Sequence, residues 1–185
     1  MAQSWRSRRT DPDARRPRPL DAAALERIAL RYVERYATTR AKLAAYLDRK
    51  IRERGWENEE TPGVEALVGR MAALGYVDDA AFASSRAAGL TRRGYGLRRV
   101  AQSLKAAGIG EEDAAAAQAA AREQAWEAAL TFARRRRIGP FAAAAPDRPT
   151  REKALAAMLR AGHDLAIARR IVGSEPGYVP ELDQG

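Results

Sequence analysis

The sequence predicts an all-α protein made of tandem three-helix units that form an elongated, curved helical array. Three observations predict it. Alanine supplies 42 of the 185 residues, and it is the strongest helix former because its side chain loses no entropy. Val, Ile and Thr number only 7, 6 and 7, too few for an extensive sheet. Helix-stopping glycines recur at Gly55, Gly108 and Gly162, 53 and 54 residues apart, a period expected of stacked repeats. Leu, Ile, Val and Phe together number only 31, so several small cores fit better than one large one.

The elements follow in order. Residues 1–20 carry six arginines and two aspartates, with Pro12, Pro17 and Pro19 among them, and read as a disordered leader. Asp21 caps a helix whose Leu25, Ile28, Ala29, Tyr32, Val33 and Tyr36 share one face. Thr38 and Thr39 cap the next, which carries Leu43, Tyr46, Leu47 and Ile51 and stops at Gly55. Thr61-Pro62 reads as a cap followed by proline at the first helical position; Val64, Leu67, Val68, Met71 and Leu74 follow, up to Gly75. Asp78 caps a helix holding Phe82, and Gly94-Tyr95-Gly96 breaks the chain. Val100 and Leu104 lead to Gly108. Glu111, Glu112 and Asp113 suit the first turn of a long Ala-rich stretch. That stretch contains Trp126, Leu130 and Phe132 and closes on Arg134 to Arg137, the charge a helix C-terminus favours. Residues 138–149, with three prolines, read as a loop. Thr150 caps a helix ending at Gly162, and Asp164 caps a short last one through Val172. The units are residues 21–75, 78–121 and 122–173, each packed mainly against its neighbour, and 174–185 form a flexible tail.

Composition excludes much chemistry. There are no cysteines and His163 is the single histidine, so thiolate sites, cysteine nucleophiles and two-histidine metal motifs are absent. No phosphate-cradling glycine loop is present. His163-Asp164, Asp78-Asp79 and the acidic trio at 111–113 all read as helix stops and caps before they read as catalytic or metal sites. No catalytic residue, cofactor or metal is expected. No apolar run approaches the ~20 residues of a membrane span and the Arg-rich leader has no apolar core, so a cytoplasmic protein is expected.

Binding carries more signal. The net charge of +9 divides into +4 on residues 1–20 and +5 on the rest. Arg92, Arg93, Arg98 and Arg99 flank Gly94-Tyr95-Gly96, placing four cations around a tight turn and a helix start that would attract an anion. Tyr95, between two glycines, is the aromatic that packing explains least, whereas Tyr32, Tyr36 and Tyr46 sit at helical spacing and read as packing residues.

These residues resemble a known family. The run Leu74-Gly75-Tyr76-Val77-Asp78-Asp79-Ala80-Ala81-Phe82-Ala83, then Arg92-Arg93-Gly94-Tyr95-Gly96, then Arg98-Arg99-Val100 with Leu104 and Gly108-Ile109, is similar to the central signature of the bacterial regulatory protein RecX family. Tyr36-Ala37 with Arg40, Leu43, Leu47 and Gly55 resembles that family's first repeat. The resemblance implies tandem three-helix repeats and a non-enzymatic modulator, expected as a monomer, that binds the RecA recombinase filament on single-stranded DNA and lowers its activities. By motif position it assigns Arg92, Arg93, Tyr95, Arg98 and Arg99 to partner contact. Gly55, Gly75, Tyr76, Asp78, Phe82, Gly108 and Gly162 are assigned to packing and capping. A sequence-tolerant DNA-binding helical protein is the alternative that charge alone permits. Two features depart from the family pattern: His163 stands where an aromatic residue is common, and the loop Ile138 to Pro149 is long.

Overall fold

The computed structural model describes residues 18–181. Among them the chain forms nine α-helices and one 3₁₀ turn, with no strand longer than a single bridge. The first three helices are α1 (Ala22–Arg35), α2 (Arg40–Arg54) and α3 (Val64–Ala73), followed by α4 (Asp79–Arg92), α5 (Leu97–Ala106) and α6 (Glu111–Glu123). The last three are α7 (Ala125–Arg136), α8 (Arg148–Arg160) and α9 (Leu165–Val172), with the 3₁₀ turn Gly139–Phe141 between α7 and α8.

Local chemistry sets most of these ends. Asp21, Thr39, Asp78 and Asp164 each accept a first-turn N–H through the side chain, satisfying donors that the helix itself cannot. Two expected caps are corrected. Val64 N–H is spent on the Pro62 carbonyl at 2.8 Å, so α3 starts after Gly63 rather than at Thr61-Pro62, and no side chain caps it. At α8 the Asp147 carboxylate accepts Thr150 N–H at 2.9 Å, which draws Thr150 inside the first turn. The Ala-rich stretch divides at Gln124 (φ −91°, ψ 9°) into α6 and α7.

The buried residues fall into three clusters. The first gathers Leu20, Leu25, Leu43, Leu47, Leu67 and Met71 around α1–α3. In the second, six of ten members are alanine, so α4 and α6 approach closely and little bulky apolar area is needed to fill the space between them. Trp126, Leu130, Phe132, Met158 and Ile171 dominate the third. The expected leader and tail are partly corrected. Leu20 is fully buried and exchanges backbone bonds with Gly55 O (2.9 Å) and Glu57 N (3.0 Å). Gly177 N–H bonds Pro140 O at 2.9 Å, and Pro180 is buried. The remaining leader and tail residues, 1–17 and 182–185, lie outside the described residues.

The glycine period has a structural cause. At the end of α5, the Ala107 carbonyl accepts the Thr39 hydroxyl (2.6 Å) at the start of α2. One repeat later, at the end of α8, Ala161 O accepts Gly96 N–H (3.0 Å) and Gly162 O accepts Arg98 N–H (3.1 Å) at the start of α5. The negative end of each second helix thus meets the positive end of the preceding one. Close approach forces glycine there. A Cβ on Gly108 would collide with the Ala41 side chain, one on Gly96 with the Gly162 backbone, and one on Gly162 with the Arg99 backbone. The stack is closed at both extremes, by Asp147 at the start of α8 and by Leu20 against Gly55 at the end of α2.

Side chains lock the two seams differently. Between the first and second units, Asp79 is buried and accepts Arg40 N–H at 2.9 Å, while the Arg40 guanidinium reaches Asp79 (3.4 Å) and Asp113 (3.0 Å). Between the second and third units, His163 is buried against Phe132, with ring centroids 5.4 Å apart and Nε2 lying 3.1 Å from Gly94 O. The residue that departs from the family pattern is therefore a working part of the seam. Burial pushes the His163 pKa below the ordinary 6.5, opposed by a smaller upward pull from the Gly94 carbonyl.

Two measurements check this account. In Gly96→Ala and Gly162→Ala, unfolding in urea should show losses of about 1–3 kcal/mol from overpacking. Gly69→Ala and Gly89→Ala, helical positions with no atom in a Cβ's way, should instead gain about 0.5–1 kcal/mol. For pH, a neutral buried imidazole means that the unfolded chain takes up the proton first. The stability His163 contributes is whole above about pH 6.5 and is lost below it. Unfolding free energy should fall between pH 6.5 and 5.5, by at most about 1.4 kcal/mol per unit from this group, and His163→Phe should flatten that slope.

Candidate functional site

The seam between the second and third units also shapes the surface beside it. Gly94 adopts φ +80° and packs on the α7 backbone, where a Cβ would lie 2.8 Å from Phe132 N. This close approach carries the α4–α5 turn onto the middle of α7, between Ala128 and Phe132. Tyr95, half-buried, then lies between two depressions and lines both. One, of about 490 Å³, runs along α4 and α5 past Arg86, Arg93 and Arg99. The other, of about 330 Å³, crosses to the third unit and includes Arg99, Arg135, Arg136 and Arg160. Through Arg136 and Ala157 the second depression continues into a third, between α7 and α8, whose cations are Arg136, Arg137, Arg151 and Lys153. The three linings hold nine different basic side chains and no acidic one.

This furrow sorts the residues expected at the site. Arg93, Tyr95 and Arg99 line it; Arg92 and Arg98 are exposed but line none of these depressions. The expected anion site at the α5 start is corrected. Two of its amides, Gly96 N–H and Arg98 N–H, are taken by Ala161 O and Gly162 O, so the helix end offers an anion less than its sequence promises and the arginine side chains offer more. Tyr76, expected to pack, is half-exposed and borders a separate hollow with Thr38, Phe82 and Arg86. Phe82 packs against the middle cluster beneath Lys42, whose Nζ lies 4.9 Å from the ring centroid. Asp78 caps α4, and positive φ values at Gly55, Gly75, Gly108 and Gly162 end their helices. Tyr32 and Tyr46 stack at 4.1 Å.

Several furrow residues escape sequence reading. Arg135 Nη1 donates to the Arg93 carbonyl, joining residues 42 apart that only the Gly94–Phe132 contact brings together. The run Arg134 to Arg137 looks like dipole compensation, and it is that too, since Arg134 to Arg136 occupy the last turn of α7. Arg160 shows no local signal at all. Hydrogen bonds steady the furrow wall: Arg86 Nε to Ser103 Oγ and Arg93 Nε to Gly89 O, both 2.9 Å. Among the described residues no carboxylate pairs with Arg93, Arg99, Arg135, Arg136 or Arg160. The unneutralised charge makes a positive field that would steer an acidic partner. Among the same residues no group of three or more histidines and carboxylates could hold a metal ion, and no helix is long and apolar enough to cross a membrane.

Comparison with known proteins fits the fold. A family model for the second three-helix domain of RecX matches residues 78–117. The regulatory protein RecX of Myxococcus xanthus (strain DK1622) is 36% identical over 170 residues, covering 88% of this chain and 91% of that protein. A crystal structure of RecX from Lactobacillus salivarius superposes with a TM-score of 0.60 at 17% identity, over 82% of this chain and 94% of that one. A second crystal structure, of a regulatory protein RecX, gives 0.57 at 22% identity, over 82% and 73%. The two crystal structures share the helical fold, and the long 36% match extends the likeness to sequence across all three units: the chain belongs to the RecX family of regulatory proteins.

Proposed function

We propose that this RecX-family protein binds the RecA recombinase filament on single-stranded DNA and restrains its activities: filament growth, ATPase, strand exchange and coprotease function. The observation that carries the reading is the unneutralised basic furrow crossing from the second unit to the third, on a chain whose family is regulatory. A rigid stack of repeats presents its cations at fixed spacing, which suits a partner that repeats along a filament. Arg93, Tyr95 and Arg99, joined by Arg135 and Arg160, form the contact surface. Arg92 and Arg98 contribute general field only. The protein itself catalyses nothing in this reading; occupancy of the filament does the regulating.

The same charge favours a second reading, in which the furrow binds DNA without a recombinase. The two separate on salt dependence and partner requirement. Direct phosphate binding loses affinity steeply with salt, with a log–log slope near −0.7 per contacted phosphate on single strands.

Titrating the protein into a RecA ATPase assay on single-stranded DNA should give inhibition at or below equimolar ratio; its absence at that ratio rules out the proposed role. In the same assay Arg93→Ala/Arg99→Ala/Arg160→Ala should need at least about tenfold more protein, roughly 1.4 kcal/mol. Arg92→Ala/Arg98→Ala should need less than about threefold more. Both variants should keep the wild-type unfolding free energy to within about 0.5 kcal/mol, because these are surface positions.

A further inference from the structure

The depression between α7 and α8 has a property that filament contact does not explain. Helices α3, α4, α5 and α8 are each followed by a glycine with positive φ: Gly75, Gly94, Gly108 and Gly162. Helix α7 closes with the same geometry, its sixth-residue bond running from Ile138 N–H to Ala133 O at 2.9 Å. Yet the left-handed position there is Arg137, at φ 54° and ψ 49°, the only non-glycine residue with positive φ among the described residues. A side chain is strained in that region where glycine is not. Compensation of the helix dipole does not require it, since three arginines already occupy the last turn of α7. Strain kept at one position, where the fold elsewhere uses glycine, points to a use for the side chain.

The surroundings indicate what the use is. Arg137 shares a cavity of about 400 Å³ with Arg136, Arg151 and Lys153, and Ile138, Ala154 and Val172 also line it. Among the described residues no hydrogen bond or ion pair engages the Arg137 guanidinium. The neighbouring carboxylate, Asp147, is committed to Thr150 at the start of α8, and the bonds from Thr150, with Lys153 and Arg151 nearby, hold it below the usual carboxylate range. Four cations lining an open space of ligand size together with apolar side chains fit a small molecule with an anionic end and a flat apolar end. Guanidinium forks match the paired oxygens of phosphate groups. We propose that this cavity binds a free nucleoside polyphosphate, with its phosphates on Arg136, Arg137, Arg151 and Lys153 and its base over Ile138 and Val172. The long loop from Ile138 to Pro149, which departs from the family pattern, supplies one wall. The proposal does not depend on the recombinase reading.

The decisive variant is Arg137→Gly, because strain and function predict opposite signs. Relief of the left-handed side chain should raise the melting temperature by roughly 2–4 °C. Loss of the guanidinium should weaken ADP binding, measured by calorimetry on the full chain, by about tenfold or more. Lys153→Ala should weaken ADP binding without changing the melting temperature, and pyrophosphate should bind more weakly than ADP. Three results would overturn the assignment: no saturable ADP binding, unchanged ADP affinity in both variants, or a lower melting temperature in Arg137→Gly, which would make the arginine a packing residue. Displacement of ADP by a poly-glutamate peptide at equal charge concentration would also overturn it, since the site would then read charge and not phosphate.

Discussion

Everything in this molecule depends on one contact made twice: the carbonyl end of one second helix set against the amide end of the one before it. Helix ends are where backbone groups lack partners, and burying them unpaired costs free energy. Here each end satisfies the other, through Ala107 and Thr39 at one seam and through Ala161, Gly162, Gly96 and Arg98 at the next. The contact is short, so the residues around it must be small, and the dipoles it joins are favourably ordered. It fixes how one unit meets the next before any side-chain core is counted. The basic furrow is a by-product of that geometry, since the same close approach brings the end of α7 beside the α4–α5 turn.

This also accounts for the composition. Clusters rich in alanine bury little area each and stabilise weakly by transfer alone, yet Ala83, Ala87, Ala114, Ala117 and Ala121 let helices approach closely. More of the side-chain bulk lies in the outer units, where Leu43, Leu47 and Met71 on one side and Trp126, Phe132 and Met158 on the other fill the larger gaps. Fewer large side chains serve in the middle, among them Leu90, Leu104 and Ile109, and it is gripped from both sides. Arg40 between Asp79 and Asp113 holds one flank, and His163 between Phe132 and Gly94 holds the other.

How much of this was legible beforehand follows the range of the interaction. Caps such as Asp21, Asp78 and Asp164, and the helix-stop glycines, act within four residues and are visible in the sequence. The 53- and 54-residue period was visible as a spacing, although its cause, helix ends in contact, was not. Thr61 misleads because Pro62 O takes the Val64 N–H, and Thr150 misleads because Asp147 caps the helix a turn earlier and takes Thr150's own N–H. Leu20 is hidden in a run of arginines and prolines that reads as a tail, yet its backbone completes the end of α2. The site was half legible. Arg93, Tyr95 and Arg99 sit on a local motif, whereas Arg135 and Arg160 join them only through tertiary contact.

The two closures of the stack carry a consequence for how such a protein ends. Any module that grips its neighbour by complementary ends is a monomer unit in the polymer sense, because a free donor end on one copy fits a free acceptor end on the next. Open, non-closing contacts of that kind build fibres. In this chain Leu20 occupies the acceptor end at Gly55, and Asp147 occupies the donor end at α8. Those two residues occupy the ends through which the joint that builds the array would otherwise be repeated.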